Sequence, residues 1–540
     1  MALALAALAG FTASPPWRLS GAARFAALLP AAALALSFIM AAQQLQAART
    51  LAVWAAYLCV FLHAAGLARH HEGPAEPIAS GAGRWVLGAL ALAATGLSLH
   101  GLYQSLYAFE RMAAAARELG LPEAVRARLG SERAVATLGL PDALSGFLAL
   151  SIPITCWLAR LEKSAVRRGA LWCGVALQAA CLLATRSAGG FASLALAGAV
   201  VIWWRGRIGR GAARRRLAIG LVAAGLAGAG LLLVLRLSGP GSEGAGNPLS
   251  LRQGNWQVAL AIAREHPLLG AGPGCYGICF PPHRQWGMNE SQFVHNSYLQ
   301  ILSETGALVT LFVVGAAGLL AWWLLSAGVP PWLAVACLSF LVHNAADFTF
   351  YVPTVGFAFF ILAGLAVGPR AAYATNRRGL LRAAAAVSLA VFALLVTRAD
   401  MKRDAARDTA LAGDAAAALP QAREAVRSNP FDPESRSLVS RLLLEAGVRA
   451  NDSAALGEAE EQARRATELD PRTPHHWNHL GHVLLARGDR QGAYIALAEA
   501  ARLYPIRIEY RDERDKVGRT LAGAAPAGET PPAAPAGAAR

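Results

Sequence analysis

The feature that most constrains this chain is the recurrence of long apolar runs. Eleven of them stand at about 25–42, 50–68, 84–102, 143–160, 168–185, 187–204, 217–236, 297–325, 332–349, 351–368 and 380–397. Each is near the ~20 residues that a hydrocarbon core requires, so each reads as a membrane-spanning helix. Residues 2–13 are apolar but short for a span; they read as part of a clipped twelfth helix or an uncleaved signal-like start. Charged residues make up only 16% of the 540, against about 25% in an ordinary soluble domain, which excludes an enzyme that is soluble throughout. The expected fold class is all-α: a polytopic transmembrane bundle of 11–12 spans, followed by a soluble α-solenoid.

Fifty Lys and Arg against 34 Asp and Glu give a formal charge of +16, and the excess is nearly all Arg. A basic chain can bind nucleic acid, but here the basic residues fall in short linkers between spans. Ala159–Gly169 carries Arg160, Lys163, Arg167 and Arg168. Trp204–Arg216 carries Arg205, Arg207, Arg210, Arg214, Arg215 and Arg216. Pro369–Arg382 carries Arg370, Arg377, Arg378 and Arg382. All three fall on one side if the eleven spans alternate, and the positive-inside rule makes that side the cytoplasm. No nucleic-acid partner is expected; membrane lipid is. The loops of about 103–142 and 237–296, and everything after about 398, then face the other way. In a Gram-negative bacterium that is the periplasm, and the membrane is the inner one. The expected organisation is an N-terminal segment 1–24, spans 1–7 in 25–236, a large periplasmic loop 237–296, spans 8–11 in 297–397, a periplasmic repeat domain 403–510 and a disordered Ala/Pro/Gly-rich tail 521–540.

After residue 400 amphipathic segments alternate with Pro and Gly breaks. Trp477, Leu480, Gly481, Leu484, Ala493, Leu497, Ala500 and Pro505 match the tetratricopeptide (TPR) pattern at its spacing. Small residues at 481 and 493 suit a close helix crossing, and Pro505 ends the second helix. An earlier copy ends at Pro471, with Ala459 and Ala466 in register. Its first helix is expected at about 434–446, with a lengthened turn around Gly447–Ser453. A weaker copy covers about 403–429. Such modules bind proteins and rarely carry chemistry, so a protein partner is expected on this domain.

The segment Asn247–Asn296 holds the residues best suited to chemistry. Asn247-Pro248 is a helix start, with the helix running to about Glu265 and carrying Arg252 and Trp256 on one face. His266-Pro267 breaks it, and Gly270, Gly272 and Gly274 make a tight turn. These glycines are not a phosphate loop, because no strand precedes them and no Lys-Ser/Thr follows. The chain re-enters the membrane at His295-Asn296-Ser297. Glu304, about 180° round an ideal helix from His295, reads as a separate intramembrane polar contact.

The pattern Arg252-x3-Trp256-x2-Ala259, His266-Pro267-x2-Gly270-x-Gly272-x-Gly274 and His295-Asn296-x2-Leu299-x4-Glu304-x-Gly306 resembles the O-antigen ligase and O-antigen polymerase (Wzy-type) superfamily. Leu140-Pro141-Asp142 resembles that family's Asn-Pro-Asn-type turn, with Leu and Asp replacing both Asn. Thr185-Arg186-Ser187-Ala188-Gly189-Gly190 resembles its Thr-x-Ser-Arg-Gly segment, with the Arg displaced. His343-x3-Asp347 and Pro353 resemble a late-span segment. The resemblance covers about 130–368. It implies a GT-C-like, metal-independent glycosyltransferase with no cofactor. The donor would be an undecaprenyl-pyrophosphate-linked glycan. The acceptor would be a glycan, a lipid such as the lipid A core in lipopolysaccharide biosynthesis, or a protein.

The residue chemistry fits. Guanidinium groups match the charge that develops on a leaving pyrophosphate, and an imidazole can take the acceptor's proton. Arg252, Arg186 and His295 are the catalytic candidates. Trp256, Asn296, His343 and Asp347 are candidates for substrate binding, and His343 with Asp347 could equally pair only with each other. A non-catalytic TPR membrane scaffold for envelope or secretion assembly is the alternative. A lipid-linked sugar flippase is disfavoured by spans nearly bare of charge. No metal site is expected: His475-His476-x2-His479 lies on a repeat helix, but no Cys or carboxylate set completes it. Cys275-x3-Cys279 has a spacing at which a periplasmic disulfide is conceivable.

Overall fold

The computed structural model describes residues 21–67, 81–120, 132–207, 248–326, 328–367 and 377–524, with scattered residues in 126–130 and 216–230. The described residues are mostly helical, with no strand among them. They divide into two compact units. One lies within 1–37, 50–270 and 293–389, the other within 38–49, 271–292 and 390–540.

The first unit is built from α1 (Gly21–Ile39), α2 (Gln44–Leu67), α3 (Ala82–Tyr103), α4 (Phe109–Glu118), α5 (Pro141–Leu161), α6 (Ala165–Ala184), α7 (Ala188–Arg207) and α8 (Pro248–Glu265). After the short α9 (Tyr276–Cys279) of the second unit come α10 (Ser297–Leu324), α11 (Pro331–His343) and α12 (Pro353–Val367). Six described helices are long and apolar enough to cross a membrane: 44–65, 83–118, 141–161, 165–184, 188–205 and 297–324. Three shorter apolar helices, 29–39, 331–343 and 353–367, stand where three further spans are expected. The expected span at 380–397 lies within α13 (Arg377–Leu411). The expected span at 217–236, the apolar run 2–13 and most of the tail 521–540 fall largely outside the described residues.

Among the described residues the eleven expected spans thus stand as six full-length helices, three short ones and part of α13, with 217–236 largely outside them; what is corrected is the length of those expected at 332–349 and 351–368. The reason is visible at 344–352. The sequence there is apolar enough to extend two spans, yet the backbone leaves the helix after His343. Asn344 organises the break: its Nδ2 donates to the Phe340 carbonyl and to Thr349 Oγ1, both at 2.9 Å, and its Oδ1 accepts from Phe350 N and Ser297 Oγ. Non-helical backbone at membrane depth persists only where protein supplies such partners. A second correction concerns the loop expected to begin at 103. The helix continues instead to Glu118 through a π-helical segment at Gln104–Ala108.

α5 is the central helix. Of its apolar window 72% is buried, against 11–28% for the other five long helices. It packs on α3, α6, α7, α11 and α12. Phe147, Leu150, Ile154 and Trp157 meet Leu333, Cys337 and Phe340 of α11 and Val355, Phe359 and Leu362 of α12, with Trp157 stacked on Trp332 at 4.3 Å. Each such side chain stabilises by about 1.5–3 kcal/mol when withdrawn from water, although in lipid the gain comes from packing. One polar cluster crosses this core: Gln178 Nε2 donates to Thr95 and Thr155, and its Oε1 accepts from Ser151. At the C-terminal end of α5, Glu162 pairs with Arg84 and Arg167, so the basic linker 159–169 marks that end.

α10 is bent. Gly306 takes φ 75° and ψ 179° inside it, and a Cβ there would lie 2.2 Å from the Leu268 carbonyl carbon. Gly270, at φ 66°, approaches the Glu304 backbone equally closely. Ala307 N donates to the Pro267 carbonyl. The two glycines let the segment after α8 lie backbone to backbone against α10.

The second unit contains the latter part of α13 and α14 (Ala415–Ser428), α15 (Pro433–Ala450), α16 (Ser453–Leu469), α17 (Pro474–Ala486), α18 (Arg490–Leu503) and α19 (Ile508–Ala524). From α14 onward, successive helices pack on one another in chain order. Ala459, Ala463, Leu480, Leu484 and Ala493 share its core. A Cβ on Gly481 would lie 2.7 Å from Leu497 Cγ, which accounts for the small residue at that crossing. The lengthened turn expected at 447–453 is corrected: α15 runs to Ala450, Asn451 takes φ 52°, and Asp452 caps α16 through the Ala454 and Ala455 amides.

Residues 38–49 and 271–292 belong to this unit. Gln43 Nε2 donates to Asp470, Arg49 pairs with Asp400 at 2.7 Å, and Glu290 accepts from Tyr504. Cys275 and Cys279 are buried, and no disulfide joins them. The large loop is thus divided, with 248–270 and 293–296 in the first unit and 271–292 in the second.

Candidate functional site

The site is assembled where four helix ends of the first unit meet: the starts of α5, α7 and α10 and the end of α11. Pro141 at the first turn of α5 places Asp142 at its N-terminus. Asp142 Oδ1 pairs with Arg133 at 3.0 Å, and its Oδ2 with Arg252 of α8 at 3.5 Å. The Asp142 carbonyl lies 3.3 Å from His343 Nε2. The same Nε2 lies 3.3 Å from Asp347 Oδ2, and Asp347 Oδ1 lies 3.5 Å from His295 Nδ1. A continuous polar chain therefore runs from Arg133 and Arg252 through Asp142, His343 and Asp347 to His295.

The order of burial along this chain is informative. The His343 and Asp347 side chains are only 1% and 3% exposed, whereas Arg252 and His295 are 21% and 29% exposed. The two ends are open and the middle is closed. His343 Nε2 faces two acceptors, so it must carry the ring proton. His295 Nδ1 faces the carboxylate at 3.5 Å, so a neutral His295 protonated there keeps its lone pair on Nε2. A base oriented by a third group through its other nitrogen is the arrangement that activates a hydroxyl.

His295 is held firmly. Ser297 N donates to the Asn344 and Asp347 carbonyls, at 2.9 and 3.0 Å, tying the start of α10 to the 344–349 loop. The Asn296 side chain accepts from Tyr298 N and Leu299 N, both at 3.1 Å, so its oxygen caps α10. Val294 N donates to Gln300, and the His295 ring meets Phe348 edge-on at 4.8 Å. The residue itself has φ 58°. Histidine enters this left-handed region more readily than most residues, yet the conformation still costs on the order of 1 kcal/mol or more. Arg186, in the turn joining α6 to α7, has φ 48° and Ala136 has the same value. Backbone strain thus gathers around the polar chain.

Of the residues singled out from sequence, the structure links Arg252, His295, His343 and Asp347. Trp256 lies one turn from Arg252 on α8, its Nε1 buried without a hydrogen-bond partner. The turn bearing Arg186 borders the chain through its neighbours: Arg133 Nε donates to the Thr185 carbonyl at 2.8 Å, and a Cβ on Gly189 would touch the His343 ring at 3.4 Å. Glu304 makes the separate contacts expected of it, with Gln300 and Tyr351.

Sequence reasoning passed over two members. Arg133 sits in irregular backbone with no periodicity to flag it. Asp142 was legible as part of a turn motif but not as a carboxylate shared by two arginines. The expectation that no carboxylate accompanies the repeat-domain histidines is also corrected: Glu434, one helix pair upstream, joins His475 and His476 with donor atoms all within 4.8 Å of one another.

The Wzy_C family model, described as O-Antigen ligase, matches residues 173–314. That stretch carries Arg186, Arg252, Trp256, His295 and Asn296, while Asp142, His343 and Asp347 lie outside it. No curated protein matches the chain. The match supports the O-antigen ligase superfamily. Together with the six long apolar helices, it supports a multi-pass membrane protein with a glycan-transfer, glycosyltransferase-like function.

Proposed function

We propose that this protein transfers a glycan from an undecaprenyl-pyrophosphate carrier to an acceptor hydroxyl at the periplasmic face of a bacterial inner membrane, without a metal at the transfer site. The observation that carries this reading is the polar chain joining two arginines to His295 through Asp142, His343 and Asp347. Its position favours the periplasmic side. It lies at the N-terminal end of α5, and the basic linker 159–169 lies at the other end, about 30 Å away for 21 residues of helix.

In the reaction, Arg252 receives the pyrophosphate. Its contact with Asp142 is looser than the one Arg133 makes, so an anionic headgroup can replace it while Arg133 keeps its pair with Asp142. Arg186, on the neighbouring turn, would add a second guanidinium. His295 Nε2 takes the acceptor proton as the oxygen attacks the anomeric carbon. The bond from that carbon to the pyrophosphate oxygen breaks, and the carrier leaves with the electron pair. With no enzyme nucleophile, the configuration inverts. Asp347 stabilises the imidazolium, and His343 fixes Asp347. Trp256 Nε1 offers a hydrogen bond to the sugar or the phosphate. Fixed charges of this kind, aimed at developing charge, are often the largest catalytic term.

The second unit would be a periplasmic TPR-type module that docks a protein, either an acceptor or an assembly partner. Deletion of the gene, followed by gel analysis of surface glycans and glycoproteins, tests the reading. A product should vanish, return with the wild-type gene, and fail to return with His295→Ala or Arg252→Ala expressed at equal level. Full restoration by both variants would refute it.

A further inference from the structure

We propose that Glu434, His475 and His476 form a divalent transition-metal site, of the kind Zn2+ occupies, which clips two successive helix pairs of the repeat unit together. This site is separate from the transfer reaction and does not rest on it. His475 and His476 open α17, and Glu434 opens α15, 41 residues earlier. Glu434 Oε1 lies 3.0 Å from His475 Nε2 and 3.6 Å from His476 Nε2. Four-coordinate Zn2+, with bonds of about 2.0–2.1 Å, holds its donors about 3.3–3.4 Å apart. The two separations bracket that value, so small side-chain adjustments suffice to seat an ion.

His476 is the observation that separates a metal site from an ordinary ion pair. Its side chain is fully buried, and neither ring nitrogen has a hydrogen-bond partner. A buried polar group left without a partner is destabilising, and a ligated ion would satisfy Nε2. Asp470 stands on the same side: its Oδ2 is 3.9 Å from His476 Nε2 and accepts from Thr473 and Gln43, while its Oδ1 is buried without a partner. It can supply the fourth ligand directly or through a water. Two imidazoles with carboxylate oxygen select a borderline ion of the zinc class over Ca2+ or Mg2+, which take oxygen ligands.

The test uses the full-length protein in detergent, purified without a polyhistidine tag, stripped with chelator and titrated with Zn2+ by calorimetry. One equivalent should bind per chain and raise the melting midpoint. His475→Ala and Glu434→Gln, at exposed and half-buried side chains whose loss leaves the core intact, should each weaken that binding about tenfold or more and abolish the thermal shift. His482→Ala, further along the same helix and paired with Glu513, should change neither. Absence of saturable binding would overturn the proposal. So would binding that His475→Ala and Glu434→Gln leave unaltered, which would place the ion elsewhere on the chain.

Discussion

Two imidazoles face one carboxylate at Asp347, and each depends on it differently. His343 is enclosed, its Nε2 3.3 Å from both Asp347 Oδ2 and the Asp142 carbonyl; His295 is partly open, with its Nδ1 toward the carboxylate. Asp347→Asn keeps the shape but removes the charge that orients and stabilises the His295 imidazolium. Transfer should fall on the order of 10²–10⁴-fold, the range of a general-base contribution, with donor affinity little changed because Arg252 and Asp142 are untouched. Donor binding and turnover measured side by side check this: equal losses in both would mean that Asp347 only holds the fold. His295 and Arg252 were legible as residues because their chemistry and motif spacing are local. The connection between them was not, because it passes through Asp142, His343 and Asp347, which meet only when four helix ends converge. Glu434 was hidden for the same reason: only the packing of α15 against α17 shows that it faces the histidines.

Helices and turns were read from composition with uneven success, and the unevenness has physical causes. Apolar runs give the existence of α5, α6, α7 and α10 directly. They do not show where α11 stops, since residues 344–352 break the helix through side-chain hydrogen bonds rather than through polarity of the run. The glycines after α8 were correctly assigned to a tight turn, and Gly270, Gly272 and Gly274 all have positive φ. Gly270 carries a sharp prediction. A Cβ there meets the Glu304 carbonyl carbon at 2.2 Å and the Thr305 nitrogen at 2.3 Å. Neither can move without displacing α10. Gly270→Ala should destabilise by roughly 2 kcal/mol or more, lowering the melting midpoint of the detergent-solubilised protein. Gly315→Ala, where a Cβ meets nothing, should leave the midpoint unchanged. Equal midpoints for the two variants would mean that the close approach of the segment to α10 is not formed.

The whole chain combines a membrane unit that carries the polar chain with a second unit of successively packed helices. The assignment of sides rests on arginine placement and on the polarity of α5, with Asp142 in its first turn and Arg160 and the basic linker 159–169 at its other end. Alkaline phosphatase fused after Ala524 should therefore be active in cells, and the same enzyme fused after Lys163 inactive. The reverse pattern would move the site to the cytoplasm, where the proposed carrier-linked donor would not be presented in this way.

The central claim is that Arg252 and His295, far apart in sequence, act together on one lipid-linked donor. Turnover of a radiolabelled undecaprenyl-pyrophosphate-linked glycan by the protein in lipid nanodiscs, with wild type, both single alanine variants and the double variant, tests it most directly. Each single change should cut release of the pyrophosphate carrier at least about 100-fold, and the double variant should fall little further, as residues acting as a unit do. Wild-type turnover by His295→Ala, or losses that multiply fully in the double variant, would contradict it.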